Sequence, residues 1–274
     1  MSRIQRTVPA LALLAAASLA QGQVPGTATA ELTSFRLQLL DLAPDDGLAP
    51  VLTISPGGHV LAGLQVDAKW LNADTYLDQR LTLDTFPAAP PLSGAEVTLS
   101  LGRVEGSARR SADGLYATIN GQDDLVTQSY AWWETYKTIA PLPEGNWPWT
   151  GSFSLGAGTA VTLTADYRVF ASVAAAGGSV VTSQVSLHGL VGTAGMDQIV
   201  RDHGYASIAG PGEQTTSGTL TLTLSNASAE AVPLYFGAAA SVYTQPLAVP
   251  EPGTLAMLLA GGLLVGWRAR RQTC

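Results

Sequence analysis

Apolar and polar residues alternate with a period of two over long stretches of this chain, and this pattern restricts the fold more than any other feature. In the longest stretch the polar positions include Thr162, Thr164 and Asp166, and the apolar positions are Val161, Leu163, Ala165, Tyr167, Val169, Ala171 and Val173. Side chains two residues apart lie on the same side of an extended chain, so one face is buried and the other contacts water. The pattern predicts long β-strands that each cover one side of a core.

Shorter stretches with the same alternation recur between segments rich in Gly, Pro, Asn and Asp, at residues 32–40, 51–54, 60–66, 97–101, 115–119, 180–191, 220–224 and 232–242. The polar segment 225–230 predicts a hairpin between the last two stretches. Helical periodicity is scarce, and only residues 74–80 and 196–202 are candidates for a turn or two of helix. We therefore predict an all-β fold, an antiparallel β-sandwich. A jelly-roll-like arrangement fits the strand count, but the sequence does not fix the strand order.

The only cysteine is Cys274, so the predicted sandwich contains no disulfide and no thiolate ligand for zinc. A domain without such cross-links depends on the burial of apolar side chains. Apolar residues make up 46% of the sequence, which is sufficient for a hydrophobic core of this kind.

The first 20 residues have the layout of a secretory signal peptide. Arg3 and Arg6 supply a positive charge, residues 8–20 are apolar, and Ser18-Leu19-Ala20 places small residues where signal peptidase cleaves. The apolar part is too short to span a membrane stably. We expect export through the translocon, cleavage between Ala20 and Gln21, and an exported domain over residues 21–246.

The C-terminal segment, residues 247–274, combines three features in a fixed order. Pro250-Glu251-Pro252 disfavours helix, an apolar run occupies residues 253–267, and Arg268, Arg270 and Arg271 follow it. A helix over the apolar run would reach about 22 Å against a hydrocarbon core of about 30 Å, so the sequence predicts a short, marginal transmembrane helix. The arginines stay on the cytoplasmic side, which leaves the preceding domain outside the membrane.

In these three features the tail resembles the PEP-CTERM sorting domain. The resemblance implies that an exosortase, a membrane-embedded enzyme similar to a cysteine transpeptidase, recognises Pro250, Glu251 and Pro252 and cleaves near them. The tail would then be a transient anchor in the inner membrane, and the exported domain would be released or displayed at the cell surface. Proteins of this kind accompany exopolysaccharide production, which implies a place in a biofilm or an extracellular matrix.

The charge of the exported part is strongly negative. Residues 21–249 contain 20 Asp and Glu against 9 Lys and Arg, a net charge of −11. Such a surface repels nucleic acid and anionic lipid, so we expect no nucleic-acid partner. It is compatible with solubility, with binding of neutral sugars such as those of an exopolysaccharide, or with binding of divalent cations.

Six aromatic residues fall within 20 positions in a chain that is 7% aromatic: Tyr130, Trp132, Trp133, Tyr136, Trp147 and Trp149. Aromatic faces stack on the apolar faces of sugars, and Trp147-Pro148-Trp149 places two indoles on one side of an extended segment. Trp132, Trp133, Trp147 and Trp149 are therefore candidate glycan-binding residues of a carbohydrate-binding or adhesin-like module. The alternative, which we favour, is that these rings close one end of the sandwich.

No segment carries a strong catalytic or metal-binding signature. Asp41, Asp45 and Asp46 lie just before Gly47 and could offer oxygen ligands to Ca²⁺, but the spacing is not that of an EF-hand and a β-turn is the simpler explanation. His59, His188 and His203 are the only histidines, and none stands at metal-ligand spacing from another.

Two further arrangements could support an extracellular hydrolase. Asp202 and His203 would need a serine brought to them by the fold, whereas Asp166 and Arg168 are typical of a solvated strand face. We predict a non-catalytic protein with no metal site and no cofactor other than the candidate Ca²⁺, and we keep the hydrolase as an alternative.

Overall fold

The computed structural model describes residues 26–54, 58–70, 76–85, 94–101, 104–121, 125–137, 153–174, 179–192 and 199–246. The predicted signal peptide with its cleavage site, and the predicted tail with its sorting motif and arginines, lie outside these residues. Trp147 and Trp149 also lie outside them. Within the described ranges every regular element is a β-strand.

In chain order the strands are β1 (Gly26–Asp41), β2 (Leu52–Ile54), β3 (Gly58–Trp70), β4 (Tyr76–Thr85), β5 (Ala95–Leu101), β6 (Val104–Ser111), β7 (Gly114–Gly121), β8 (Leu125–Lys137), β9 (Phe153–Leu155), β10 (Thr159–Val173), β11 (Ser179–Val191), β12 (Val200–Ala209), β13 (Gly212–Asn226) and β14 (Val232–Pro246). A six-stranded sheet has the order β13-β10-β1-β7-β6-β5. An eight-stranded sheet has the order β12-β11-β14-β8-β3-β4, with the short strand β9 pairing with both β14 and β2. All of these pairs are antiparallel.

The two sheets pack face to face around one hydrophobic core. Leu32 and Ile119 enter it from the six-stranded sheet, and Leu64, Leu187 and Leu234 enter it from the eight-stranded sheet, each at most 1% exposed. The alternation seen in the sequence produces this arrangement, because every second side chain of a strand faces the core. The prediction of an all-β antiparallel sandwich is confirmed. The longest alternating stretch of the sequence, residues 161–173, lies in β10.

Three local predictions were wrong. Residues 76–80 pair with β3, and residues 200–202 pair with β11, so neither proposed helical turn forms there. Residues 225–230 do not close a hairpin, because β13 pairs with β10 in one sheet while β14 pairs with β11 and β8 in the other. The apolar sides of β13 and β14 face the same core from opposite sheets, and this gives the same alternation as a hairpin would.

The chain also crosses between the sheets at the corner that joins β12 to β13. Gly210 and Gly212 have positive φ angles of 129° and 141° there, a conformation that favours glycine. Asp202 fastens the same two edge strands, because its Oδ2 accepts a hydrogen bond of 2.7 Å from the backbone amide of Thr221 in β13. The edges of the two sheets are therefore held together at this side of the sandwich.

Candidate functional site

The outer face of the eight-stranded sheet contains a cavity of about 630 Å³, lined by residues of β8, β11, β12 and β14 together with Ile199. Pockets that bind small molecules have volumes of about 300–1,000 Å³. The lining combines aromatic and titratable side chains, among them Glu134, His188, Arg201 and Tyr235. We call it the outer-face cavity.

Strand pairing places three of these side chains in one row across four strands. Arg201 on β12 lies opposite His188 on β11. Gly237 on β14 separates His188 from Glu134, because it pairs with both of them. A Cβ at Gly237 would lie 2.7 Å from His188 Nε2 and 2.9 Å from the Cβ of Glu134. The glycine therefore leaves the space in which a carboxyl and an imidazole from two different strands converge.

Tyr235 links this carboxyl and this imidazole. Its hydroxyl donates a hydrogen bond to Glu134 Oε2 and lies 3.2 Å from His188 Nε2. The rings of His188 and Tyr235 are tilted against each other, with centroids 5.8 Å apart. Because the hydroxyl hydrogen points to Glu134, the contact with His188 requires Nε2–H as the donor, which assigns the tautomer of the neutral imidazole.

The surroundings shift the pKa values of His188, Glu134 and Tyr235. Burial lowers the pKa of His188 to about 4, and the positive charge of Arg201 adds to this effect. Burial raises the pKa of Glu134, although the hydrogen bond from Tyr235 opposes the increase. Burial also raises the pKa of Tyr235, and the charge and hydrogen bond of Glu134 add to it. At neutral pH the imidazole is therefore uncharged and the phenol protonated, so both act as neutral hydrogen-bonding groups.

Aromatic rings border small residues along the cavity. Tyr130 stacks on Trp132 with ring centroids 6.4 Å apart and an interplanar angle of 29°. Ala239 lies opposite Trp132 on β14, and Ser186 lies opposite Ala239 on β11. Burial, followed by the charge of Glu134, raises the pKa of Tyr130. Ala239 and Ser186 carry short side chains, so they leave space on the sheet surface beside the rings of Tyr130 and Trp132.

The structure separates the two described members of the tryptophan cluster. Trp133 packs on the core, where its ring meets Phe35 and Phe236 edge-on at centroid distances of 5.6 and 5.8 Å. Trp132 points from the opposite face of β8 and lies over Gly63 of β3, because a Cβ at Gly63 would stand 2.4 Å from the indole. These two neighbours in sequence therefore do not share one flat platform.

The fold places a serine opposite His203, but Asp202 does not contact the imidazole as a triad would require. Ser186 on β11 lies directly opposite His203 on β12, and both residues line the outer-face cavity. Asp202 lies on the opposite face of β12, where its two carboxylate oxygens accept hydrogen bonds from the backbone amides of His203 and Thr221. The residues proposed for a hydrolase are thus not arranged as a triad.

The other acidic candidates stabilise turns and strand faces. Asp41 Oδ1 accepts a bond from the amide of Ala43, and Asp46 Oδ1 accepts one from the amide of Leu48. Gly47 follows with φ of 74°, as a turn requires. Asp166 accepts a bond from Thr219 and pairs with the exposed Arg36 at 3.3 Å. Across the ranges that the structure describes, no three His, Asp or Glu side chains lie close enough together to hold a metal ion.

Sequence reasoning missed Glu134 and Tyr235, and it considered His188 only as a metal ligand. These residues come from three separate strands, β8, β14 and β11, so no local motif connects them. One signal was available. Gly237 interrupts a long apolar strand, and glycine inside a strand often marks a close approach of other groups.

Comparison with known proteins adds information mainly about the tail. The family model of the PEP-CTERM protein-sorting motif matches residues 248–271. No curated protein matches the sequence. One similar solved structure is described as carbohydrate-binding modules from the β-sandwich superfamily. The two sequences are 9% identical, and the match covers 79% of this chain and 96% of the solved one. Its TM-score is 0.10, and so low a similarity carries no argument about fold or ligand.

The motif match confirms the resemblance of the tail to a PEP-CTERM sorting signal. A signal of this kind implies an exported protein with a membrane-anchored C-terminal tail and processing by an exosortase-type enzyme. In the described ranges, which end before the tail, no helix is long and apolar enough to cross a membrane.

Proposed function

We propose that this chain, which carries a PEP-CTERM sorting motif, is an exported, non-catalytic matrix or cell-surface protein that an exosortase-type enzyme processes near Pro250-Glu251-Pro252. The match of the sorting motif to residues 248–271 carries the proposal. The signal-peptide layout of residues 1–20 supports export. The acidic, cysteine-free sandwich is the cargo, and its place is a biofilm or extracellular matrix that contains exopolysaccharide.

The end of the sandwich is compatible with cleavage of the tail. β14 ends at Pro246, and the matched motif begins at residue 248. Cleavage near Pro250 would therefore remove the apolar run and the arginines without removing any described strand. The released domain would keep both sheets and the core between them.

Each part of the tail has a separate role in this proposal. Pro250 and Pro252 remove backbone donors and keep the motif extended, so a protease-like enzyme can bind it. The apolar run holds the substrate at the membrane, and Arg268, Arg270 and Arg271 keep its end on the cytoplasmic side.

Intact-mass measurement tests the proposal. The protein is expressed in a host that contains an exosortase and in the same host with the exosortase gene deleted. We expect secreted protein that begins at Gln21 and lacks the arginine-rich end in the first host, and full-length tail in the membrane fraction of the second. Secreted protein with an intact C-terminus would contradict the proposal.

A substitution in the motif gives a sharper comparison. Glu251→Ala should leave the protein in the membrane fraction with an uncleaved tail. Glu213→Ala, at an exposed position of β13, removes the same charge from the sandwich and should be processed normally. Equal processing of the two variants would argue against recognition of the motif.

A further inference from the structure

We infer that the outer-face cavity is a binding site for an uncharged, polyhydroxylated ligand of the class of neutral oligosaccharides. The site belongs to the sandwich and does not depend on the sorting motif. It also differs from a platform of the four tryptophans, because Trp133 is packed in the core.

The charges around the cavity favour a neutral ligand. Glu134 and Arg201 have opposite charges when both are ionised, and His188 between them is neutral at pH 7. An anionic ligand would be attracted by Arg201 but repelled by the carboxylate of Glu134 and by the net charge of −11 on residues 21–249. A cationic ligand would be attracted by Glu134 but repelled by the guanidinium of Arg201. A ligand without charge avoids both penalties.

The hydrogen-bonding groups of the cavity suit hydroxyls, which donate and accept at the same atom. Glu134 uses Oε2 for the bond from Tyr235, and a carboxylate has a second oxygen that can accept. Arg201 provides donors, while Gln184 and Ser186 in the same lining provide both donors and acceptors. A sugar ring with several hydroxyls can satisfy such a mixed set.

The shape of the cavity also fits a sugar ring. Tyr130 lines it from β8, and aromatic faces stack on the C–H faces of sugars. Tyr235 on β14 is only 6% exposed, so it positions Glu134 and does not offer a ring face. Ser186 on β11 and Ala239 on β14 lie side by side, and their short side chains occupy little space. The volume of about 630 Å³ can hold a short oligosaccharide rather than an ion.

The residues of β14 that line the cavity, Tyr235 and Ala239, lie in the first half and at the middle of the strand. An extended strand rises by about 36 Å from Tyr235 to Pro246 and by about 23 Å from Ala239 to Pro246. Pro246 is the last residue of β14, two positions before the matched sorting motif. If the tail anchors the precursor, as proposed above, the cavity is displayed away from the membrane. This last step rests on the proposed function, whereas the binding site itself does not.

Binding of defined glycans tests the inference. The full chain is purified in a zwitterionic detergent without a sugar group and applied to an array of neutral oligosaccharides of glucose, galactose and mannose. The best ligand is then titrated by calorimetry. We expect binding of at least one neutral oligosaccharide. Failure to bind any of them, or binding only of the acidic control oligogalacturonate, would overturn the inference.

Matched variants locate the site. Tyr130→Ala and Glu134→Met should each weaken binding by about tenfold or more, since the first removes a ring face and the second removes the carboxylate that can accept a hydrogen bond. Tyr116→Ala removes an aromatic ring from the outer face of the six-stranded sheet and should bind like the wild type. Glu134→Met keeps a side chain of similar length without the carboxylate, and its circular dichroism and unfolding midpoint report whether it is folded. Unchanged affinity in folded Glu134→Met would overturn the inference. Glycan binding by a chain that is never processed would refute only the sorting proposal.

Discussion

The side-chain nitrogen of Asn226 donates a hydrogen bond of 3.0 Å to the carbonyl oxygen of Leu155, which joins the end of β13 to β9. The same nitrogen lies 2.8 Å from the carbonyl oxygen of Gly156 and 2.7 Å from that of Glu230. Asn226 is 3% exposed, and its Oδ1 accepts a bond from the amide of Ser228. Asn226-Ala227-Ser228 fits a glycosylation sequon, but in the folded protein this amide is engaged in the structure.

Asn226→Asp should destabilise the sandwich by about 2–4 kcal/mol, because a carboxylate oxygen would face three carbonyl oxygens in a buried place. Urea unfolding followed by circular dichroism measures the effect. Asn120→Asp is the matched control, since Asn120 is exposed and accepts its hydrogen bond from Thr27 through Oδ1. A loss below about 0.5 kcal/mol at Asn226 would contradict the structural role of this side chain.

Gly63→Ala should lower the free energy of unfolding by about 1–3 kcal/mol, because the new methyl group would overlap the indole of Trp132 and force it to move. Gly94→Ala serves as the control, since the nearest atom to its added Cβ is 3.9 Å away. Thermal unfolding monitored by circular dichroism compares the two variants. Equal midpoints would show that Trp132 does not lie on Gly63.

Ser34→Gly should stabilise the protein by roughly 0.5–1 kcal/mol. Ser34 has φ of 54° at the irregularity between Thr33 and Arg36, where β1 shifts its register against β10. Non-glycine residues pay about 1–2 kcal/mol in this conformation, which exceeds the extra entropy that glycine loses on folding. Ser100→Gly, on the regular strand β5, should instead be destabilising. Urea unfolding of both variants gives the two signs, and a destabilised Ser34→Gly would refute the strained conformation.

Acidification should destabilise the protein through His188. Its pKa is about 4 in the folded protein against an ordinary value of 6.5, so between these values the unfolded chain holds a proton that the folded chain lacks. The free energy of unfolding therefore falls as the pH falls through this window, by on the order of 2 kcal/mol. The stabilising contribution of the neutral imidazole is fully present above about pH 6.5.

Glu134 acts in the opposite direction. Its raised pKa means that the folded protein takes up this proton first, which adds stability as the pH falls. The positive charge of Arg201 and the hydroxyl of Tyr235, whose pKa is raised, also face His188. The measurement is therefore the difference between wild type and His188→Gln, compared by urea unfolding at about pH 7 and about pH 4.5. We expect the free energy of unfolding to fall more in the wild type than in the variant between these two pH values. Equal losses would contradict the lowered pKa of His188.

The strands could be predicted from the sequence because each strand's alternation depends only on its own two faces. The alternation predicts one strand at Leu220, Leu222 and Leu224 and another at Leu234 and Phe236, and these are β13 and β14. Their partners could not be predicted. Alternation shows which side of a strand is buried, but it does not show which strand lies beside it, so the expected hairpin was replaced by two strands in different sheets.

The candidate site was even less accessible from the sequence. Trp132 and Trp133 drew attention as a cluster, yet adjacent residues of a strand point to opposite faces. Glu134, by contrast, gains its environment from His188 and Tyr235, which are distant in the chain and are brought to it by the order β11-β14-β8.

The fold class, the dependence on a hydrophobic core and the sorting motif of the tail follow from local composition or from a contiguous pattern, so they can be predicted from the sequence. The strand order, the separation of Trp132 from Trp133 and the convergence of Glu134, Tyr235 and His188 on one outer face emerge only in the folded protein. The physical reason is that pairing across strands depends on the packing of both sheets together. Burial then sets the protonation of groups whose own segments give no sign of it.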